Sequence, residues 1–495
     1  MASALALSAV SIVCPPGVTP AAAQTAAASG RYEGVLSVLW ADPQDHAGEG
    51  EIIFKLNTAD GRRVPLTVGP DLQSQAIQAG GKSVTVVGSS VASAAGGESV
   101  AATAIEVSAI APQAAAVKGT KKVLYILLKF KGDRQEPFKP KHYLDLTNPM
   151  RGSGKIPSTI NAFYDAVSYG VFQWSAQVAG NKWYTLSKTH AEICPGPTNG
   201  GCPNLETAGD EAMQLVKNDV DVRKFDTINF VFNNDLNCCA FGGSGYTYKG
   251  RSWGVTWEPP WGQQAGIYAH ELGHSLGLPH SGWRYGTYDS NHDQMSRGTS
   301  INQKRCAFYD SVNNGGRKTP VMCDEPGSGY IMAHQNHLGW IPKAQVAIHK
   351  SRQPAVYDIE ANALPFGKTL KVVQICLTDS PCTTSDPAGR FITVEVKTKT
   401  KAFDRGVPSE GVIIHDVAMA RGPITGPCYV NPQTGWAMPY DATPGDWDPN
   451  TCQGAGLSNM AYLPGQTLQD DFLGFKVEVL SRKKDVYKVR VTKTK

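Results

Sequence analysis

The sequence predicts an α+β multidomain protein with a small N-terminal β domain, a mixed α/β domain and a C-terminal β-sandwich-like module. Three observations carry that expectation. The 495 residues exceed what one ordinary core accommodates and suit about three domains. Period-two alternation of apolar and polar residues dominates both ends, whereas the middle of the chain interleaves it with helical periodicity. Hydrophobic residues at 41% against charged residues at 18% are the proportions of a folded chain, not of a disordered one.

At the start, an apolar run over residues 4–13 is followed by Pro and Gly and then by Ala21, Ala22 and Ala23. Residues 1–23 are therefore expected to be a secretion signal, with an Ala-rich leader as the competing reading because no Lys or Arg precedes the run. Over residues 24–110 the runs RYEGVLSVLW, EGEIIFKLNT, RRVPLTV, KSVTVVGSSV and ESVAATAIEVSAI alternate between Gly, Asp and Asn turns, which predicts a small all-β domain, OB-like in outline. The Ala-rich stretch 111–119 reads as an exposed linker open to proteolysis.

Residues 120–342 begin with an apolar strand, KVLYILLKF. Helical patterns follow near 158–169 and 207–222, then the strands TINFVFN and GRSWGVTWE, then a helix over about 263–276. From 343 to 495 the texture is β again: KTLKVVQICL, GRFITVEVKTK, EGVIIHDVAMA, FKVEVLS and DVYKVRVTK alternate with no helix between them.

The net charge of +4 arises from 47 basic and 43 acidic residues, which leaves no electrostatic footprint for nucleic acid. No apolar stretch approaches the roughly 20 residues of a membrane-spanning helix. Of the 11 cysteines, Cys14 falls in the expected signal, and the other ten lie in Gly- and Pro-rich loops without a C-x-x-C pair. Disulfides and an extracellular location are expected, with Cys194–Cys202 and Cys376–Cys382 as short loops and with Cys238 and Cys239 finding separate partners.

The chemistry is concentrated in the stretch from His270 to His280, HELGHSLGLPH. On a helix, His270 and His274 project from one face and can reach one ion. Glu271, about 100° around the helix, is placed to act as general base on a water rather than as a ligand. Gly277 can take the positive φ that ends a helix and Pro279 cannot continue one, so the chain can turn and bring up His280 as third ligand. Three imidazoles with a fourth position left open are what a catalytic Zn2+ requires.

This H-E-x-x-H-x-x-G-x-x-H pattern resembles that of the metzincin zinc metallopeptidases. The order Tyr288, Asp289, Met295 is similar to the gametolysin-like branch, and the stretch from Met332 to Trp340 is similar to segments of that branch and of relatives resembling immune inhibitor A. The resemblance implies a metzincin-like catalytic domain, Zn2+ as cofactor, a methionine turn at Met295 beneath the metal, and endopeptidase activity. Arg297 stands where some metzincins carry a zinc-touching tyrosine, so no tyrosine ligand is expected. Tyr288 is the candidate for a contact to the substrate oxyanion, with simple packing as the alternative. His292, His334 and His337 are read as surface or packing residues. Residues 296–330, with Cys306 and Cys323, look like an insertion.

The functional expectation is a secreted endopeptidase that cuts peptide bonds of extracellular proteins, glycoproteins among them. The alternative is an extracellular binding or adhesion protein with a relic zinc domain. The β domain over 24–110 is read either as a propeptide released at the linker or as a permanent module. It holds no cysteine, which leaves an Asp, a His or steric cover as the means of latency. Oligomeric state has no signature in the sequence.

Overall fold

The computed structural model describes residues 29–44, 50–92, 98–108, 116–197, 201–282, 288, 290–400, 403–421, 436–448, 453–454 and 459–495. The expected signal, most of the linker, Asp289, Cys428 and Cys452 lie outside the described residues.

The N-terminal domain contains β1 (Ser29–Pro43), β2 (Glu51–Asn57), β3 (Arg63–Val68), α1 (Pro70–Ala79), β4 (Ser83–Ala92) and β5 (Glu98–Val107). β1 pairs with β2 and β4, β2 with β3, β3 with β5 and β5 with β4, so the five strands close on themselves. Leu36, Val38, Trp40, Phe54, Leu56, Val84, Val86 and Val100 fill the interior, each on the inward phase of its strand. The expected all-β domain is corrected in one respect, the helix α1. Pro70 at its first turn suits a helix start, but the buried face is only Ser74, Ala76, Ile77 and Ala79, too weakly apolar to stand out as a helical stripe.

The middle domain runs through β6 (Gly119–Lys129), α2 (Pro140–Thr147), α3 (Ile160–Val167), β7 (Phe172–Thr185), α4 (His190–Ile193), α5 (Leu205–Leu215), β8 (Thr227–Phe232), β9 (Cys239–Tyr248), β10 (Arg251–Glu258) and α6 (Ala265–Ser275). It ends with the hairpin β11 (Ser300–Ser311) and β12 (Arg317–Pro326), then α7 (Met332–His337). β7, β6, β8 and β10 are parallel neighbours, and β9 is antiparallel to β10. Both faces of the sheet are covered, which is why KVLYILLKF is apolar throughout: Tyr125 and Leu127 face one core with Tyr164, Trp174, Tyr268 and Trp340, while Leu124, Ile126 and Leu128 face the other with Phe230 and Trp257.

The two domains share a sheet. The second half of β1, Val38–Pro43, pairs antiparallel with Ser244–Cys239 of β9, giving ten strands in the order β2-β3-β5-β4-β1-β9-β10-β8-β6-β7. A Cβ on Gly243 would lie 2.1 Å from the Val38 carbonyl oxygen, so glycine is needed where the strands meet. The linker is also shorter than expected: Val117 N–H donates to the Leu338 carbonyl, and the Trp340 indole donates to the Val117 carbonyl.

The C-terminal module holds β13 (Val346–His349), β14 (Ala355–Glu360), β15 (Val372–Cys376), β16 (Arg390–Lys397), β17 (Gly411–Ala418), β18 (Ala437–Pro439), β19 (Trp447–Asp448), β20 (Gln453–Gly454), β21 (Thr467–Asp470), β22 (Phe475–Lys483) and β23 (Val486–Lys493). Sheets β13-β15-β16-β17-β18 and β14-β23-β22-β21 enclose Val373, Ile375, Val394, Val396, Val412, Phe475, Val477, Tyr487 and Val489.

Disulfides join Cys194 to Cys202, Cys306 to Cys323 and Cys376 to Cys382. Cys238 and Cys239 bond to each other, which corrects the expectation of separate partners. These pairings are compatible with an extracellular protein. Among the described residues no helix is long and apolar enough to cross a membrane.

Candidate metal centre

α6 places the first two histidines. The Asp324 carboxylate, on β12, accepts from the Gly266 N–H at 2.9 Å and so satisfies one of the donors that the first turn leaves without a helical partner. At the other end, Gly277 has a φ of +91°, the left-handed conformation that lets the chain leave the helix and return with His280. The Nε2 atoms of the three histidines converge: His274 lies 3.1 Å from both His270 and His280, and His270 lies 3.2 Å from His280. All three side chains are buried.

Their orientation is set from behind. His270 Nδ1 lies 2.7 Å from the Gln294 carbonyl, and His274 Nδ1 lies 2.7 Å from the Leu278 carbonyl. A carbonyl only accepts, so each Nδ1 carries the proton and each Nε2 presents a lone pair to the shared point. Burial depresses the His280 pKa and takes that of His274 down to about 3, which keeps both rings neutral. Lone pairs aimed at one point in a dry interior repel unless a cation lies between them, so these residues fit a metal ion.

The fourth member comes from the N-terminal domain. Asp42, near the end of β1, places Oδ1 3.0 Å from His280 Nε2 and Oδ2 3.4 and 3.5 Å from those of His274 and His270. The four side chains form a buried group that could hold a metal ion. Burial works to raise the Asp42 pKa, but His280 and His270 overcome it, and the carboxyl is held well below its usual range. Two residues earlier on the same strand face, Trp40 stacks on His274 with centroids 4.9 Å apart and planes 9° apart. Sequence reasoning allowed for an Asp or His from this domain without identifying which. A strand alternation WADP carries no metal-ligand spacing, and only the pairing of β1 with β9 brings Asp42 to the histidines.

Glu271 is buried beside this group, and burial, followed by the charge of Asp42, raises its pKa well above the carboxylate norm. The helix passes so close to β9 that a Cβ on Gly242 would lie 2.7 Å from Glu271 Oε2. Met295 is fully buried against the helix, where a Cβ on Gly273 would stand 2.4 Å from its sulfur, and its carbonyl accepts from the Ser281 N–H at 3.0 Å. The Met295 turn therefore supports the loop that carries His280. The Tyr288 ring lies 4.9 Å from that of His280, and its hydroxyl donates to Asp42 Oδ1.

Of the surface or packing roles expected for the remaining histidines, packing is the one observed. His292 and His334 are fully buried, and His334 Nδ1 lies 3.3 Å from the Asp293 carboxylate. His337 packs against Trp436 and stands 3.0 Å from the Thr384 hydroxyl. The segment read as an insertion is the hairpin β11–β12, which supplies Asp324 to α6.

No family model matches this chain, and no curated protein matches it.

Proposed function

We propose that this protein is a zinc endopeptidase of metzincin type, secreted in a latent form in which Asp42 occupies the position that water takes in the active enzyme. The observation that carries the reading is the convergence of the three histidine Nε2 atoms, 3.1 to 3.2 Å from one another, on one point with Glu271 alongside. Three imidazole nitrogens and one carboxylate oxygen are a donor set that suits zinc. When bound, zinc supplies Lewis acidity, lowering the pKa of a water toward about 7 and polarising a carbonyl.

The chain's own residues account for the rest of the chemistry. Glu271, buried beside the three histidines, accepts the proton of the attacking water and returns it to the leaving amine. The Tyr288 hydroxyl, which donates to Asp42, would turn its donor to the oxyanion that develops on the substrate once Asp42 withdraws. Withdrawal of β1 also leaves unpaired the side of β9 that faces it over Cys239–Ser244. An extended peptide can add there as a strand, and this favours unfolded or extended protein segments as substrates. The disulfides support action outside the cell.

The test uses the full chain, intact or cut within residues 109–115 by an added protease that is then inhibited. The cut chain is expected to cleave casein or gelatin, to lose the activity with chelator, to regain it with zinc, and to lack it as Glu271→Ala. A cut chain that binds zinc at the three histidines but cleaves no protein or peptide library would favour the adhesion reading or a non-peptide hydrolase.

A further inference from the structure

We infer that the C-terminal module is part of the metal centre's support, with the buried Lys397–Asp404 pair acting as a positioning element for His270; the inference rests on the metallopeptidase reading. Lys397 is the last residue of β16, and both side chains are fully buried. Lys397 Nζ donates to Asp404 Oδ1 at 3.1 Å and to the Gly329 carbonyl at 3.1 Å, while the Gly329 N–H donates to Asp404 Oδ1 at 2.8 Å. The pair thus clamps both backbone groups of Gly329. A Cβ at that position would lie 2.0 Å from the Phe403 ring, so the close approach requires glycine.

The Gly329 carbonyl also accepts from the Gln294 N–H at 3.3 Å, and the Gln294 carbonyl is the acceptor that holds His270 Nδ1 at 2.7 Å. The connection from the C-terminal sheet to the metal therefore runs Asp404, Lys397, Gly329, Gln294, His270. The Gln294 side chain adds a bond to the Gly266 carbonyl at 3.0 Å, so the same residue grips the start of α6. Beside it Asp293 accepts from the Ser281 hydroxyl, next to His280, and from the Ile331 N–H at 3.1 Å. A second contact from the C-terminal module reaches the same turn, with the Ser409 carbonyl 3.0 Å from His292 Nε2.

Burying a fully charged pair is costly, and well-packed apolar residues often serve stability equally well or better. What apolar residues cannot supply is a directed bond to the Gly329 carbonyl, which fixes the height of the turn under His270. Groups behind a metal ligand typically tune affinity by roughly 10- to 100-fold.

The experiment measures zinc affinity of the full chain by competition with a chromophoric chelator. The pair variant Lys397→Met with Asp404→Asn removes both charges and the donor to Gly329 while leaving an oxygen to accept from the Gly329 N–H. It is expected to keep the wild-type circular dichroism and to bind zinc about 10- to 100-fold more weakly. Val477→Ala, in the opposite sheet of the module, is expected to lower Tm without changing zinc affinity, which separates positioning from general destabilisation. Lys397→Arg keeps a cation opposite Asp404 but presents a planar head of different reach, and is expected to weaken zinc binding relative to wild type. It decides the question if the pair variant does not fold. Wild-type zinc affinity in the folded variants overturns the inference and leaves the metallopeptidase reading intact. A wild-type chain that binds no zinc removes both.

Discussion

Replacing Asp42 by alanine is expected to make the uncut chain active. The Asp42 side chain is 2% exposed and meets all three histidines between 3.0 and 3.5 Å, so its charge acts without solvent screening. With the His274 and His280 rings neutral, the partner of that charge is the cation the cluster would hold, and removing the carboxylate takes about 3–5 kcal/mol from the closed state, the scale of a broken buried ionic contact. At about 1.4 kcal/mol per decade, the ratio of closed to open forms falls by roughly 10² to 10³ or more. The six paired positions between β1 and β9 and the stacking of Trp40 on His274 remain, so the domain is held less tightly rather than released. The assay is the initial rate of fluorescent gelatin cleavage by uncut chain. Asp42→Ala should exceed wild type by about two decades, or reach the rate of the cut enzyme if that is lower. An uncut Asp42→Ala chain as inert as wild type, beside a cut chain that is active, would refute the carboxylate latch and assign latency to the strand and Trp40.

Glu271→Gln in the cut chain is expected to retain zinc while losing about 10²- to 10⁴-fold in kcat, read from peptide cleavage together with metal analysis. Burial raises the Glu395 carboxyl to about 8 against 4.5 unperturbed, so the folded chain keeps a proton that the unfolded chain releases. Stability from this group is full below pH 4.5, declines as pH rises and is gone above 8, and Glu395→Gln, which never ionises, should flatten the Tm profile over that window. Parallel Tm curves for the two proteins would show that the carboxyl is ionised in the fold. Asp324→Ala removes the acceptor at the start of α6 and should cost about 1 kcal/mol, measured by urea unfolding. The double change Cys306→Ser with Cys323→Ser opens a loop of 17 residues in the hairpin that carries Asp324, with an expected loss of about 3 kcal/mol.

The grouping of the three histidines was legible because its geometry is local. The i, i+4 spacing of His270 and His274 and the turn made by Gly277 and Pro279 act over 11 residues of backbone, and the φ of +91° at Gly277 is the conformation that the glycine makes available. The helix α6 was expected over 263–276 and runs over Ala265–Ser275, its start displaced because Gln263 closes a 3-10 turn over Pro260–Gly262 and Gln264 is extended. The other two helices expected in the middle domain are shorter than their patterns: 158–169 became Ile160–Val167 and 207–222 became Leu205–Leu215, and the chain beyond Leu215 turns toward β8. Helix α1 escaped notice because its buried face is built largely from Ser and Ala.

By itself the sequence determined the alternation of strands in both flanking modules, the helix with its two histidines and the glycine that returns His280. These depend on neighbours in the chain and on the periods 2 and 3.6. Only the tertiary structure decided that Asp42, 228 positions before His270, shares their site, that Cys238 bonds Cys239, and that Lys397 reaches beneath the Met295 turn. Each of these joins groups whose sequence surroundings carry no spacing rule. They meet because β1 extends past its own barrel to pair with β9, and because burial leaves each polar group only the partner that the packing brings to it.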